Sequence, residues 1–246
     1  MRKVQKFNIE GNILDKTRQA GLWSDGQPIR LHLGCGQHHI DGYINIDYPP
    51  YEHTVQSAPK ADVFTDITTL SFLQCTVNEI RSHHVFEHFD RSTALALLCK
   101  WHEWLSIEGL LIIETPDFAG SIQLLDSQSV SYEEKQGILR HIFGSHEAKW
   151  AFHFDGWYEE KFRHVLTALG FENLRFEFGS WLMTRNITVC AEKKKNIDIS
   201  LNIEAAKNLL RCSMIDKTQS EELKWELWCK NLETSLNRMN QPVSNY

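Results

Sequence analysis

The turn Gly34-Cys35-Gly36 constrains this chain more than any other feature, because of what stands on either side of it. Ile29-Arg30-Leu31-His32-Leu33 reads as a short strand that stops at the turn. Tyr43-Ile44-Asn45-Ile46 reads as a second strand that stops at Asp47, 11 positions after Gly36. So short a connection holds a turn or two of helix at most. Two strands ending on a glycine turn and an acid suit an open sheet that binds its ligand beyond the strands' carboxyl ends.

The same rhythm continues. Ala61-Asp62-Val63-Phe64 is a weak third strand, and Glu79 to His83 leads to a fourth strand end. A helix follows from about Ser92, with Leu95, Leu98, Trp101 and Leu105 on one face. Gly109 ends the next turn, and Leu110–Glu114 is a buried fifth strand before Pro116. Residues 117–157 read as an irregular, lid-like insertion. Phe162, Val165, Leu166 and Leu169 give a further helix that Gly170 terminates. Leu174–Phe178 and Ile187–Ala191 are separated by about eight residues, too few for a helical crossover, and so pair antiparallel. The expected fold is α/β: a Rossmann-like, doubly wound, seven-stranded sheet with an antiparallel last strand. Residues 1–27 form an arm, 28–195 the domain and 196–246 a C-terminal helical extension. In the extension Leu223, Leu227, Leu232, Leu236 and Met239 lie near helical spacing. That face packs on the domain, or alternatively joins two copies as a homodimer.

Composition narrows the function. The chain has 246 residues and a net charge of −6, the wrong sign for nucleic-acid binding through counterion release. The longest strongly apolar run is Leu110-Leu111-Ile112-Ile113, so neither a membrane span nor a signal peptide is expected. Six cysteines without a C-x-x-C pair suit reduced thiols in a cytoplasmic protein.

Asp47 is placed to accept both hydroxyls of a ribose, and Asp66-Ile67 to meet an adenine. A dinucleotide fingerprint would need G-x-G-x-x-G, but the third glycine position holds His39. A nucleoside cofactor without phosphates fits better.

These residues resemble the class I S-adenosylmethionine-dependent methyltransferases. The similarity is closest to a small bacterial branch, and covers about residues 28–192. It rests on Leu31-His32-Leu33-Gly34-Cys35-Gly36, Gly42-Tyr43-Ile44-Asn45-Ile46-Asp47, the segment 82–89 and the segment Glu108–Asp117. Phe152-His153-Phe154, ahead of Leu169-Gly170-Phe171, adds to it. The resemblance implies that S-adenosylmethionine lies over Leu33, Gly34, Cys35 and Gly36. Its ribose would rest on Asp47 and Tyr48, its adenine on Asp66 and Ile67, and its methionine end over His83 and His84. His32 and His38 depart from the family's pattern.

An oxygen acceptor needs a base, and His84 and His153 are the candidates. His84-Val85-Phe86-Glu87-His88 also matches H-x-x-E-H, a metal-hydrolase pattern that requires a continuous helix. The segment is similar as well to the E-x-x-E-H associated with a divalent ion in ubiquinone-type O-methyltransferases, with His84, Glu87 and His88 in its positions. Bracing of the following helix by Glu87 and His88 is the plainer alternative, and a metal is not required. His146, Trp150, Phe152, His153 and Trp157 suit an aromatic wall for a hydroxylated small molecule. The expected activity is methylation of a small-molecule acceptor, such as a sugar or glycan precursor. The competing reading is a cofactor-binding scaffold without turnover.

Overall fold

The computed structural model describes residues 13–19, 21, 23–49 and 60–240. Seven strands form one sheet: β1 (Ile29–Leu33), β2 (Ile44–Asp47), β3 (Val63–Phe64), β4 (Val77–His83), β5 (Leu105–Pro116), β6 (Phe171–Trp181) and β7 (Thr184–Lys193). Their order is β3-β2-β1-β4-β5-β7-β6. The first five are parallel, and β7 runs antiparallel to both β5 and β6. The expected sheet is therefore present. The turn from β6 to β7 is tighter than expected, only Leu182 and Met183, with Leu182 at φ 52°.

The helices are α1 (Ile13–Gln19), α2 (Arg91–Trp104), α3 (Phe118–Asp126), α4 (Tyr132–Phe143), α5 (Glu159–Ala168), α6 (Ile199–Arg211) and α7 (Gln219–Asn240). Asp90 caps α2 by accepting from the backbone N–H groups of Ser92 and Thr93. Leu105, read as the last apolar residue of this helix, is instead the first residue of β5. Ala94, Leu97, Leu98 and Trp101 of α2 are fully buried in the main core with Leu31, Leu33, Ile80 and Leu111 from the sheet.

Residues 117–157 are not an irregular loop. They hold α3 and α4, and α4 starts on a capping box between Ser131 and Glu134. Val130, Ile138 and Ile142 form a small core of their own against Phe118, Leu124, Leu125 and Met183. The apolar residues of this region do not alternate as in a strand, and several of them serve a satellite cluster instead of the main core.

The C-terminal extension packs on the domain. Leu232, Leu236 and Met239 are buried, while Leu223 and Leu227 remain exposed. The Trp225 indole N–H donates to the Lys207 carbonyl at 2.9 Å, and the Arg211 guanidinium lies 3.9 Å from the centre of the Trp225 rings. Among the described residues no helix is long and apolar enough to cross a membrane.

Candidate functional site

The carboxyl ends of the parallel strands share one rim. Register pairs Leu33 with Ile46 and Ser82, Asp47 with Phe64, and His83 with Glu114. The strand order reverses between β1 and β4, which is where an open α/β sheet opens a crevice.

The β1 turn is shaped by the backbone. Gly34 and Gly36 have φ of +69° and +52°. A Cβ on Gly34 would lie 1.8 Å from Val85 Cγ2, so this glycine lets the turn pack against the end of β4. The Gly34 and Cys35 N–H groups donate to the Ile46 carbonyl at 2.8 and 3.2 Å. Cys35 is buried, and burial pushes its thiol up to about 12, which makes it an inert packing group.

Asp47 is 7% exposed. Its Oδ2 accepts from Gly36 N–H at 2.6 Å and its Oδ1 from Tyr48 N–H at 2.7 Å. The carboxylate is thus fixed in direction at the end of β2. Between β1 and β2 the backbone makes turns and no helix. A pyrophosphate would find no helix N-terminus there, while a carboxylate beside a glycine turn suits ribose hydroxyls. The residues present fit a phosphate-free nucleoside.

Asp66 is placed differently from the expectation of a ready adenine acceptor. It caps the 3-10 turn Ile67–Thr69, with Oδ1 accepting from Thr68 N–H and the Thr68 hydroxyl. Its Oδ2 accepts from the Arg238 guanidinium of α7 at 2.9 Å. Nothing in the local sequence indicated this partner 172 positions away.

Of the two histidine departures, His32 has a structural role. His32 is buried and contacts Asn45 Oδ1 through Nδ1 at 3.0 Å, with the ring donating. Asn45 in turn donates to Asp62 and to the Ile40 and Tyr43 carbonyls, which holds the β1–β2 connection. Burial lowers the His32 pKa, so the ring is neutral. His38 is exposed.

At the end of β4, His83 and His84 are opposites. Burial lowers the His83 ring to about 4. His84 has φ 50°, and each ring nitrogen meets a carboxylate: Nδ1 to Glu87 Oε1 at 3.2 Å, Nε2 to Glu114 Oε1 at 3.2 Å. Burial opposes the charge on His84, but the hydrogen bonds to Glu114 and Glu87 outweigh it and raise the ring to about 10. Glu114 is held down at about 2, mainly by the same hydrogen bond. A ring that donates from both nitrogens has no lone pair for a substrate proton. His84 therefore orients Glu87 and Glu114 and is not placed as a base.

His153 is brought to the same end from the insertion. Its Nδ1 contacts the Ile142 carbonyl at 3.2 Å and its Nε2 lies 3.9 Å from Glu87 Oε1. Glu87 and His88 sit on the 3-10 turn Phe86–His88, so H-x-x-E-H spans a strand end and a single turn, not the helix a metal hydrolase needs. Glu114 and His141 also belong to this end. The His141 ring lies 5.7 Å from that of His84 and its Nε2 contacts Asn186 Oδ1 at 2.9 Å.

The aromatic stretch divides. Phe152 and Phe154 are exposed, and His146 stacks on Phe152 at 4.2 Å. Trp157, expected in the same wall, is instead 2% exposed and packs between Phe86 and Phe162 in the core. A cavity of about 690 Å³ opens nearby, with Asp117, Gly120, Tyr158, Phe178 and Arg185 in its lining. None of the residues expected to bind the cofactor lines it.

No protein-family model and no curated protein matches this chain. Among solved structures it is similar to an S-adenosylmethionine-dependent methyltransferase from Archaeoglobus fulgidus, with 14% identity, 73% of this chain and 92% of that one covered, and a TM-score of 0.46. It is similar also to one from Methanosarcina mazei, with 12% identity, 73% and 98% covered, and a TM-score of 0.44. A third is the Burkholderia thailandensis 1,6-didemethyltoxoflavin-N1-methyltransferase, with 12% identity, 73% and 75% covered, and a TM-score of 0.45. The strand order with its antiparallel β7 is that of the Rossmann-like, doubly wound α/β sheet expected from the sequence.

Proposed function

We propose that this chain binds S-adenosylmethionine at the β1–β2 end of the rim and methylates a hydroxyl of a small molecule such as a sugar or glycan precursor. The observation that carries the reading is the Asp47 carboxylate, buried, and held by Gly36 N–H of the turn it faces. When bound, the cofactor supplies a methyl group on a sulfonium. The chain's share is alignment, since displacement at that methyl requires the acceptor oxygen in line behind it.

On this reading Leu33, Gly34, Cys35 and Gly36 carry the methionine part, Asp47 and Tyr48 the ribose, and Ile67 the adenine face. Asp66 meets the adenine amino group once Arg238 yields it. His83 and His84 border the methionine end. Phe152 and Phe154 offer aromatic faces on which a sugar ring can rest. His153 is the candidate proton acceptor through Nε2, the ring atom not bonded to Ile142.

Calorimetry with S-adenosylmethionine and S-adenosylhomocysteine tests the first half. Folded protein that gives no heat with either rejects it. Incubation of cell extracts with an isotopically labelled methyl donor, followed by untargeted mass spectrometry, tests the second. Label found only in nitrogen- or carbon-methylated products refutes the hydroxyl acceptor.

A further inference from the structure

We propose that Glu87, His88 and His153 form a binding site for a divalent transition-metal ion. One ligand-competent atom from each lies within 4.8 Å of the other two. Glu87 and His88 come from the turn after β4, and His153 from the far side of the insertion. Two hydrogen bonds register these segments: Phe154 N–H donates to the Glu87 carbonyl at 2.9 Å, and His88 Nδ1 contacts the Phe152 carbonyl at 3.0 Å.

The tautomers follow from these partners. A carbonyl only accepts, so His88 donates from Nδ1 to Phe152 and His153 donates from Nδ1 to Ile142. Both rings keep their lone pair on Nε2. A backbone carbonyl behind Nδ1 is the arrangement that commonly orients metal-ligating imidazoles. The rings stand nearly perpendicular, with centroids 4.6 Å apart.

The second observation is Glu87 itself. Its side chain is 2% exposed. Oε1 serves His84, whereas Oε2 is buried with no hydrogen-bond partner. An orphaned carboxylate oxygen inside a protein is costly, and a cation removes that cost. Ligand atoms around a tetrahedral ion sit roughly 3.4 Å apart, given bonds of about 2.1 Å. From separations of up to 4.8 Å, the trio needs to close by about 1.4 Å at its widest to reach that.

Two imidazoles and one carboxylate favour zinc or a neighbouring first-row ion over magnesium or calcium, which prefer all-oxygen shells. Three protein ligands leave a coordination position open. If the methyltransferase reading holds, an acceptor hydroxyl bound at that position would be acidified by the ion, which would take over the task given to His153. The binding site itself does not depend on that reading.

The test uses the full chain purified without an affinity tag and stripped with a chelator. Zinc is titrated by calorimetry and bound metal is counted by elemental analysis, with cobalt absorption as a coordination probe. The site predicts one equivalent of zinc, a cobalt spectrum of low coordination number, and zinc affinity unchanged in tenfold excess magnesium. His88→Ala and His153→Ala should each weaken zinc by about 100-fold or more, while His164→Ala, at an exposed position of α5, changes nothing. If His153→Ala does not fold, His88→Gln, at a half-exposed position, carries the test. Binding well below one equivalent, or undiminished in the variants of His88 and His153 that fold, overturns the proposal. S-adenosylhomocysteine calorimetry on the stripped protein separates the two ideas: cofactor binding without zinc binding rejects this site alone.

Discussion

The two ends of the rim are built by different means. At the β1–β2 end, the turn 34–36 and Asp47 lie close in sequence and are fixed by backbone N–H groups. At the β4–β5 end, His84, Glu87, Glu114, His141 and His153 come from four separate segments and are fixed mostly by one another's side chains. The first end is rigid because little of it has rotamer freedom. The second is a network of charges whose state each member sets for its neighbours. On the proposed reading, the cofactor end is set by main-chain geometry, and the other end includes residues that the insertion contributes.

The largest effect should come from Gly34→Ala. It puts a methyl group 1.8 Å from Val85 Cγ2 at a φ of +69°. Overpacking and the left-handed conformation together should cost about 3 kcal/mol in denaturant unfolding. Val85→Ala in the same chain should recover the packing part. No recovery would mean that the two turns are not rigidly packed.

Next is Asp47→Ala, which removes two backbone-anchored charge-assisted hydrogen bonds and the proposed ribose acceptor. We expect S-adenosylhomocysteine to bind about 100-fold more weakly, on the scale of 1.5–3 kcal/mol per such bond. Binding within a few-fold of the parent chain would remove Asp47 from the site and level the two ends.

Titration comes third. His102, away from the rim, is buried beside Lys193 and Asn202, and burial lowers it to about 4. Its unfolded form takes up a proton below about 6.5, so stability is lost as pH falls from there toward 4. At pH 5 the loss from this group is about 2 kcal/mol. A His102→Gln variant should show a correspondingly shallower acid slope. His84 has the opposite sign. Its folded pKa is raised to about 10, so its contribution is complete below about 6.5 and fades as pH rises through 10. The stability gap between the parent chain and His84→Gln should therefore close in alkali, not in acid. A His84 ring that titrates near 6.5 by NMR would break the network assigned to this end.

The smallest effect concerns Arg238. Its pair with Asp66 is partly exposed and worth less than about 1 kcal/mol to folding. If adenine must displace it, Arg238→Ala should tighten S-adenosylhomocysteine by about two- to threefold. Weaker binding would instead make Arg238 part of the cofactor site.

What could be read in advance tracks the same division. The strands were legible from runs such as Leu110–Ile113, because a buried parallel strand is apolar on both faces. The antiparallel pair was legible because the connection is short. The helices α3 and α4 are not legible in the apolar pattern, although Ser131-x-x-Glu134 is a capping signal, since their buried apolar residues serve the small cluster around Ile138. The burial of Trp157 is not legible, because an aromatic residue among histidines looks the same in a string of letters whether it faces solvent or the core.

The sequence by itself determined the sheet, the glycine turn and the acid that faces it, because each depends on residues a few positions apart and on steric rules of the backbone. Only the tertiary structure decided that Asp66 holds Arg238, that His84 is enclosed by two carboxylates, and that His153 comes to lie beside Glu87 and His88. Those facts depend on burial and on distances between segments up to 172 positions apart. A side chain's charge and partners are properties of its surroundings, and the surroundings exist only once the chain has folded.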